Sequence, residues 1–187
     1  MKYDSLILAC SPRPGGNTDT AAKLIADTLE QQGFSPEVIY LRQFKIIPCQ
    51  GCQKCAEEGL GHCILAANDD AQMVLEKILT FRRLFLCSPI YFYHLPAGLK
   101  ALIDRSQSFY SMWIKEQLKV HRGQAKIILI AGRKKGDKLF AGSQLTLKYF
   151  LSTFNYSLEY LDLRGLDKVA DLKSNSTILE KIREFAI

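Results

Sequence analysis

The sequence predicts an α/β architecture: a doubly wound sheet of five parallel strands covered by helices on both faces. Three features lead there. Short uncharged runs recur along the chain, as expected of strands buried on both sides. Stretches with apolar residues at helical spacing separate them, the pattern of strand–helix–strand crossovers. The 187 residues are 48% apolar and 24% charged, which suits one globular domain over residues 1–187 and disfavours disorder, collagen or coiled coil.

Ser5–Cys10 reads as the first strand, ended by the turn residues Ser11–Gly16. Asn17 or Thr18 can cap a helix with apolar positions at Ala21, Leu24, Ile25 and Leu29, and Gly33 stops it. Pro36–Leu41 reads as the second strand. Residues 42–68 break the pattern as a cysteine-rich insertion, longer than an ordinary βα loop and so expected to be functional. Asp69 or Asp70 starts a helix through Met73, Val74 and Ile78, and Leu84–Ser88 is the third strand, ending in Pro89. Pro96 opens a helix over Ala97–Ser108. Residues 109–125 fit neither period. Lys126–Ala131 is the fourth strand, followed by Gly132 and a basic loop. A helix over Ser143–Phe154, a fifth strand over Tyr156–Leu161 and a helix from Ser174 or Ser176 complete the chain. Right-handed crossovers then leave chiefly the flavodoxin-like strand order 2-1-3-4-5.

Net charge is +6, but Lys115–Lys148 alone carries nine basic and two acidic residues, leaving the remainder near −1. Such a surface attracts phosphorylated cofactors, acidic proteins or nucleic acid. No nucleic-acid motif or interleaved stacking aromatics accompany it, which argues against nucleic acid. The longest stretch free of Asp, Glu, Lys and Arg is the 16 residues Leu84–Leu99, broken by Pro89 and Pro96 and too short to span a bilayer. The first apolar run is too short for a signal peptide, so a cytoplasmic protein is expected.

In doubly wound sheets ligands sit beyond the carboxyl ends of the strands, where the winding reverses. There the chain reads Ser11-Pro-Arg-Pro-Gly-Gly-Asn-Thr18 and opens a helix N-terminus, whose free N–H groups suit an anion. Ser11, Asn17 and Thr18 add donors, Arg13 adds charge, and Gly15 and Gly16 allow close approach. The expected ligand is a phosphate. Neither GxxxxGK[ST] nor GxGxxG is present, which disfavours nucleotide triphosphates and dinucleotides. After the third strand comes Ser88-Pro-Ile-Tyr-Phe-Tyr93, an aromatic loop suited to a flat ring. A phosphorylated flavin such as FMN satisfies both loops.

Four of the six cysteines, Cys49, Cys52, Cys55 and Cys63, fall within 15 residues, in a chain without an export signal. That reads as metal or redox chemistry, not a disulfide framework. A straight helix cannot aim all four at one centre, whereas Pro48, Gly51, Gly59 and Gly61 favour a curled loop. Three cysteines at two-residue gaps plus a distant fourth resemble [4Fe–4S] ligation. Free thiols and zinc are the alternatives, zinc usually drawing two separate ligand pairs. Cys10 and Cys87, at strand ends, read as small buried hydrophobes. His62, His94 and His121 lack a telling partner, and Asp104-Arg105 reads as a structural ion pair.

Together S-P-R-P-G-G-N-T, C-x2-C-x2-C-x7-C with Asp69-Asp70, and S-P-I-Y-F-Y-H-L-P-A-G-L-K-A-L-I-D-R resemble the NADPH-dependent FMN reductase family, with cysteine spacing similar to its iron–sulfur flavoproteins. The resemblance covers about residues 1–135. It implies FMN with its phosphate at Ser11, Arg13, Gly16, Asn17 and Thr18, and its ring edge against Pro89, Ile90, Tyr91, Phe92 and Gly132. It also implies a homodimer or homotetramer. The function that follows is an FMN-dependent NAD(P)H oxidoreductase reducing a flavin, quinone or similar small acceptor. No catalytic acid or base is expected, because the cofactor carries the chemistry. Arg133, Lys134 and Lys135 are placed to attract a nucleotide phosphate. An alternative is an electron carrier linking FMN, a [4Fe–4S] cluster on the four cysteines and a ferredoxin-like partner docked on residues 115–148. A zinc-stapled binding module is a third.

Overall fold

A computed structural model describes residues 3–57 and 62–187. Strands β1 (Ser5–Ala9), β3 (Arg83–Pro89) and β4 (Gly123–Ala131) form the middle of a five-stranded parallel sheet. At its edges lie β2 (Pro36–Tyr40) and β5 (Tyr156–Arg164), giving the order β2-β1-β3-β4-β5 expected from the sequence. Register sets Leu6 beside both Glu37 and Leu84, and Cys87 beside Ile128.

Side chains alternate across a strand, so each middle strand feeds two cores. Leu6 and Leu8 of β1, Leu84 and Leu86 of β3, and Ile127 and Leu129 of β4 face one core, under α3 (Ala71–Thr80), α4 (Ala97–Arg105), α5 (Gln107–Ile114) and α6 (Ala141–Ser152). Ile7, Phe85, Ile128 and Ile130 face the other, under α1 (Asn17–Gln31) and α7 (Ser176–Ala186). Burial on both faces is why these strands read as uncharged runs. Edge strand β5 instead alternates, with Tyr156 buried and Ser157 and Glu159 exposed, which lets it run past Leu161 through polar Asp162 to Arg164.

Several boundaries differ from the sequence reading. Neither Asn17 nor Thr18 caps α1: Gly16 is the N-cap and no side chain caps it. The helix expected over Ala97–Ser108 breaks at Ser106, whose Oγ–H and N–H both donate to the Ile103 carbonyl, at 2.7 and 3.0 Å. A hydroxyl offering the backbone an alternative partner ends the helix there, and α5 begins at Gln107 and covers part of the unassigned 109–125 stretch. Ser176 starts α7, and the cap is Asn175, whose Oδ1 accepts from the Ile178 N–H at 3.1 Å. Between β2 and α3 lie two single 3-10 turns (Leu41–Gln43 and Ala66–Asn68) and the four-residue α2 (Lys54–Glu57).

Candidate functional site

The loop from β1 to α1 is tied from both sides. Ser11 Oγ accepts the Arg13 N–H at 3.2 Å and donates to the Arg13 carbonyl at 3.1 Å, which curls the loop on itself. Arg13 Nη2 donates to the Asp167 carbonyl at 3.4 Å. Asn17, buried at the start of α1, gives both amide hydrogens to the carbonyls of Leu166 and Lys168 and accepts the Leu172 N–H. Its amide therefore holds the loop after β5, leaving its backbone N–H to the helix start. Gly15 takes a left-handed φ of +69° that a side chain would strain. No side chain caps the first turn of α1, and uncapped N–H groups at a helix start favour an anion.

Asp19 and Arg42 escaped the sequence reading. The Asp19 carboxylate accepts the Gly15 N–H at 2.7 Å and is forked by Arg42, both N–O distances being 2.9 Å. Opposite charges so far apart in sequence leave no local signal; only an acid in a first helical turn hinted at it.

Beyond β3, Tyr91 and His94 exchange two backbone bonds, at 2.8 and 3.0 Å, across a tight turn. The turn residues Phe92 and Tyr93 both adopt positive φ, 51° and 66°, where bulky residues are strained. Phe92 projects fully into solvent. The Ile90 and Tyr91 N–H groups are taken by the Ile130 and His94 carbonyls, so the backbone donors open to a ring edge are those of the turn.

Two clefts flank this turn. One, of about 550 Å³, is lined by Ile90, Phe92, Tyr93, Gly132, Arg133 and Asp167 among others. The second, of about 300 Å³, holds Tyr91 with Cys10, Pro12, Arg42 and Pro96. The structure thus gathers Ile90, Phe92 and Gly132 in one cleft and Tyr91 in the next, while Pro89 lines neither. A Cβ at Gly132 would lie 2.7 Å from Asp167 Oδ1, so glycine is what lets the end of β4 approach the loop after β5. Arg133 Nη1 donates to the Tyr93 hydroxyl at 2.8 Å. Asp167 and Leu139, which complete the wall, lie in segments without a motif.

The cysteine loop is anchored by a pair the sequence reading misassigned. Asp104 pairs with Lys100, at 2.7 Å, whereas Arg105 turns inward to Asp69. Both of these side chains are buried, and Arg105 Nη2 lies 3.1 Å from Asp69 Oδ1. Asp69 also accepts the Ile47 N–H, and Arg105 donates to the Ile47 carbonyl, both at 2.8 Å. Burial would raise the Asp69 carboxyl, but these bonds and the guanidinium hold it below the usual carboxylate range. Burial likewise opposes the Arg105 charge, and Asp69 and Cys63 outweigh it. The pair therefore staples both arms of the loop, at Ile47 and beside Cys63, to the end of α4.

Cys49 and Cys52 are exposed and Cys55 and Cys63 half-buried. Burial raises the Cys55 thiol, and the charges of Cys63, Cys49 and Cys52 add to that against a lowering backbone hydrogen bond. Among the described residues no three His, Cys, Asp or Glu side chains are close enough to hold a metal ion. Gly59 and Gly61, expected to curl the loop, lie outside the described residues. Cys10 and Cys87 are buried as expected; burial pushes Cys10 well up, and takes Cys87, helped by the Asp19 charge, up to about 12.

Among known proteins, an iron–sulfur flavoprotein of Methanocaldococcus jannaschii is 37% identical over 97 residues, 52% of this chain and 48% of that one. An iron–sulfur flavoprotein of Archaeoglobus fulgidus is 27% identical over 175 residues, 93% of this chain and 76% of that one. The chain spans about half the length of the first curated relatives it matches. A solved NAD(P)H:quinone oxidoreductase from Methanothermobacter marburgensis superposes with a TM-score of 0.71, covering 100% of this chain and 93% of that one. At 17% identity that likeness shows the fold. Residues 4–139, from β1 to the approach to α6, match the NADPH-dependent FMN reductase family, and the chain belongs to that family.

Proposed function

We propose that this protein is an FMN-dependent NAD(P)H oxidoreductase that reduces a flavin, quinone or similar small acceptor. The observation that carries the reading is the uncapped start of α1 beside Arg13, whose loop closes through Asp167 onto the cleft of Ile90, Phe92 and Gly132. A phosphate and an adjoining flat ring fit these two places together. FMN, when bound, would supply the hydride- and electron-transfer chemistry, leaving the protein to bind and orient it. Ser11, Arg13, Gly16 and the backbone of Asn17 and Thr18 hold the phosphate. Ile90, Phe92 and Gly132 would border the ring, with Tyr91 on the adjoining cleft and Pro89 behind them at the end of β3. Arg133, fixed against Tyr93, offers a cation to the incoming nucleotide. Mixing the FMN-loaded protein anaerobically with NADPH or NADH should bleach the flavin absorbance. No bleaching with either donor would overturn the proposal.

A second reading is an electron carrier with a [4Fe–4S] cluster on Cys49, Cys52, Cys55 and Cys63, exchanging electrons with a ferredoxin-like partner. The spacing of the four cysteines favours it, as do the curated relatives named iron–sulfur flavoproteins. Anaerobic purification followed by iron and sulfide analysis decides, with fewer than about two irons per chain removing this reading. Among the described residues no helix is long and apolar enough to cross a membrane, in keeping with a proposed cytoplasmic location. Exposed Tyr110, Trp113, Ile114 and Tyr149 support a homodimer or homotetramer, which light scattering tests.

A further inference from the structure

We propose that Arg42 is a positioning residue for the anion loop: it cancels the charge of Asp19, the carboxylate that holds the loop in shape, and so lets the start of α1 accept a phosphate dianion. The inference rests on the flavin reading above and deepens it. Asp19 stands in the first turn of α1 with its side chain 11% exposed, and its grip on the Gly15 N–H fixes the left-handed residue at the tip of the loop. The same carboxylate is a liability there. A phosphate monoester carries about −1.5 to −2 at neutral pH, and Asp19 lies within the turn that would receive it.

Arg42 resolves the conflict. It enters from the 3-10 turn after β2 and meets the carboxylate with Nη1 on Oδ1 and Nη2 on Oδ2, a two-point fork. Nη1 also reaches the Ser11 carbonyl at 3.3 Å, tying the pair to the loop's first residue. The Tyr40 ring, 4.7 Å away, supports the guanidinium from the side. Its geometry is thus used up on Asp19 and the backbone, while Arg13 is the loop's own cation.

The test is a titration of FMN and of riboflavin, the same ring without phosphate, onto the full-length wild type and the R42M, D19N and D19N/R42M variants, read by flavin fluorescence. R42M should weaken FMN about tenfold or more and riboflavin less than about threefold, because an uncancelled carboxylate repels the phosphate alone. D19N/R42M should recover FMN affinity to within about threefold of wild type. Equal loss for both flavins in R42M, or no recovery in the double variant, would overturn the inference. Should R42M not fold, D19N decides: its amide still accepts from Gly15, so the preference for FMN over riboflavin should hold or rise, and a fall overturns the inference. A wild type that binds neither flavin would instead overturn the flavin reading itself.

Discussion

Arg105→Met and Lys100→Ala each remove one partner of an ion pair from the same helix, α4, in very different surroundings. Asp69 and Arg105 have side chains 0% and 1% exposed, whereas Lys100 and Asp104 are 43% and 44% exposed. Methionine keeps most of the volume of Arg105 but leaves the Asp69 carboxylate buried without its cation and the Ile47 carbonyl without its donor. Losing one partner of a buried pair costs about 3–5 kcal/mol, a large part of the roughly 5–15 kcal/mol that holds a domain of this kind together. For a chain of this length that is a fall in Tm of about 6–20 °C. Lys100→Ala should cost under about 0.5 kcal/mol, since its pair is bathed in solvent. Urea denaturation of each variant measures both values. D69N/R105M removes both charges at once and should recover a good part of the loss. A cost below about 1 kcal/mol for Arg105→Met would refute the claim that this pair staples the cysteine loop.

The same pair predicts an acid limit. The folded Asp69 carboxyl sits below its unfolded value, so its contribution is present above roughly pH 4 and fades as pH falls through the folded value; D69N/R105M should show a flatter stability profile below pH 4. Asn17→Ala strands two carbonyls and one N–H after β5 and should cost about 2–3 kcal/mol in urea denaturation. In native protein free of metal, Cys10 and Cys87 should resist Ellman's reagent until unfolding, while Cys49 and Cys52 react at once; mass spectrometry of the labelled chain identifies them. Phe92→Asn should leave the flavin-free protein as stable or more so, since asparagine tolerates a positive φ and the lost ring is fully exposed, while flavin affinity falls. A thermal melt and a fluorescence titration check the two halves.

The middle strands were legible because burial on both faces writes itself into sequence as an uncharged run: SLILA of β1 and LFLCS within β3 need no partner to be recognised. Strand order followed from crossover handedness once five strand-like segments alternated with helical periodicity. The loop after β1 was legible because serine, arginine, glycine and asparagine at a helix start are a local pattern. What could not be read was anything settled at a distance. Asn17 looked like a cap, yet its amide serves a loop some 150 positions later. Arg105 stood next to Asp104 in sequence and pairs with Asp69 in space, because Asp104 points outward to Lys100, one helical turn back. Asp167 and Leu139 carry no residue-type signal, and only the meeting of the β4 and β5 exits puts them on the cleft.

Local rules break in one place with particular consequence. Two successive aromatic residues, Phe92 and Tyr93, hold a turn conformation that glycine or asparagine would adopt without strain. Neither is there to fill the core: Phe92 lies wholly in water and Tyr93 is 40% exposed. The turn is over-determined by the paired backbone bonds between Tyr91 and His94, by Arg133 on the Tyr93 hydroxyl, and by Thr146 of α6 at 3.3 Å from His94 Nε2. Strain held by so many contacts, at the rim of the cleft of about 550 Å³, is what a site needs when a flat ligand must be met by rigid aromatic edges. A turn kept only for chain reversal would have no reason to place aromatics at both positions, so the conflict between residue type and backbone supports the proposed ring site at this turn.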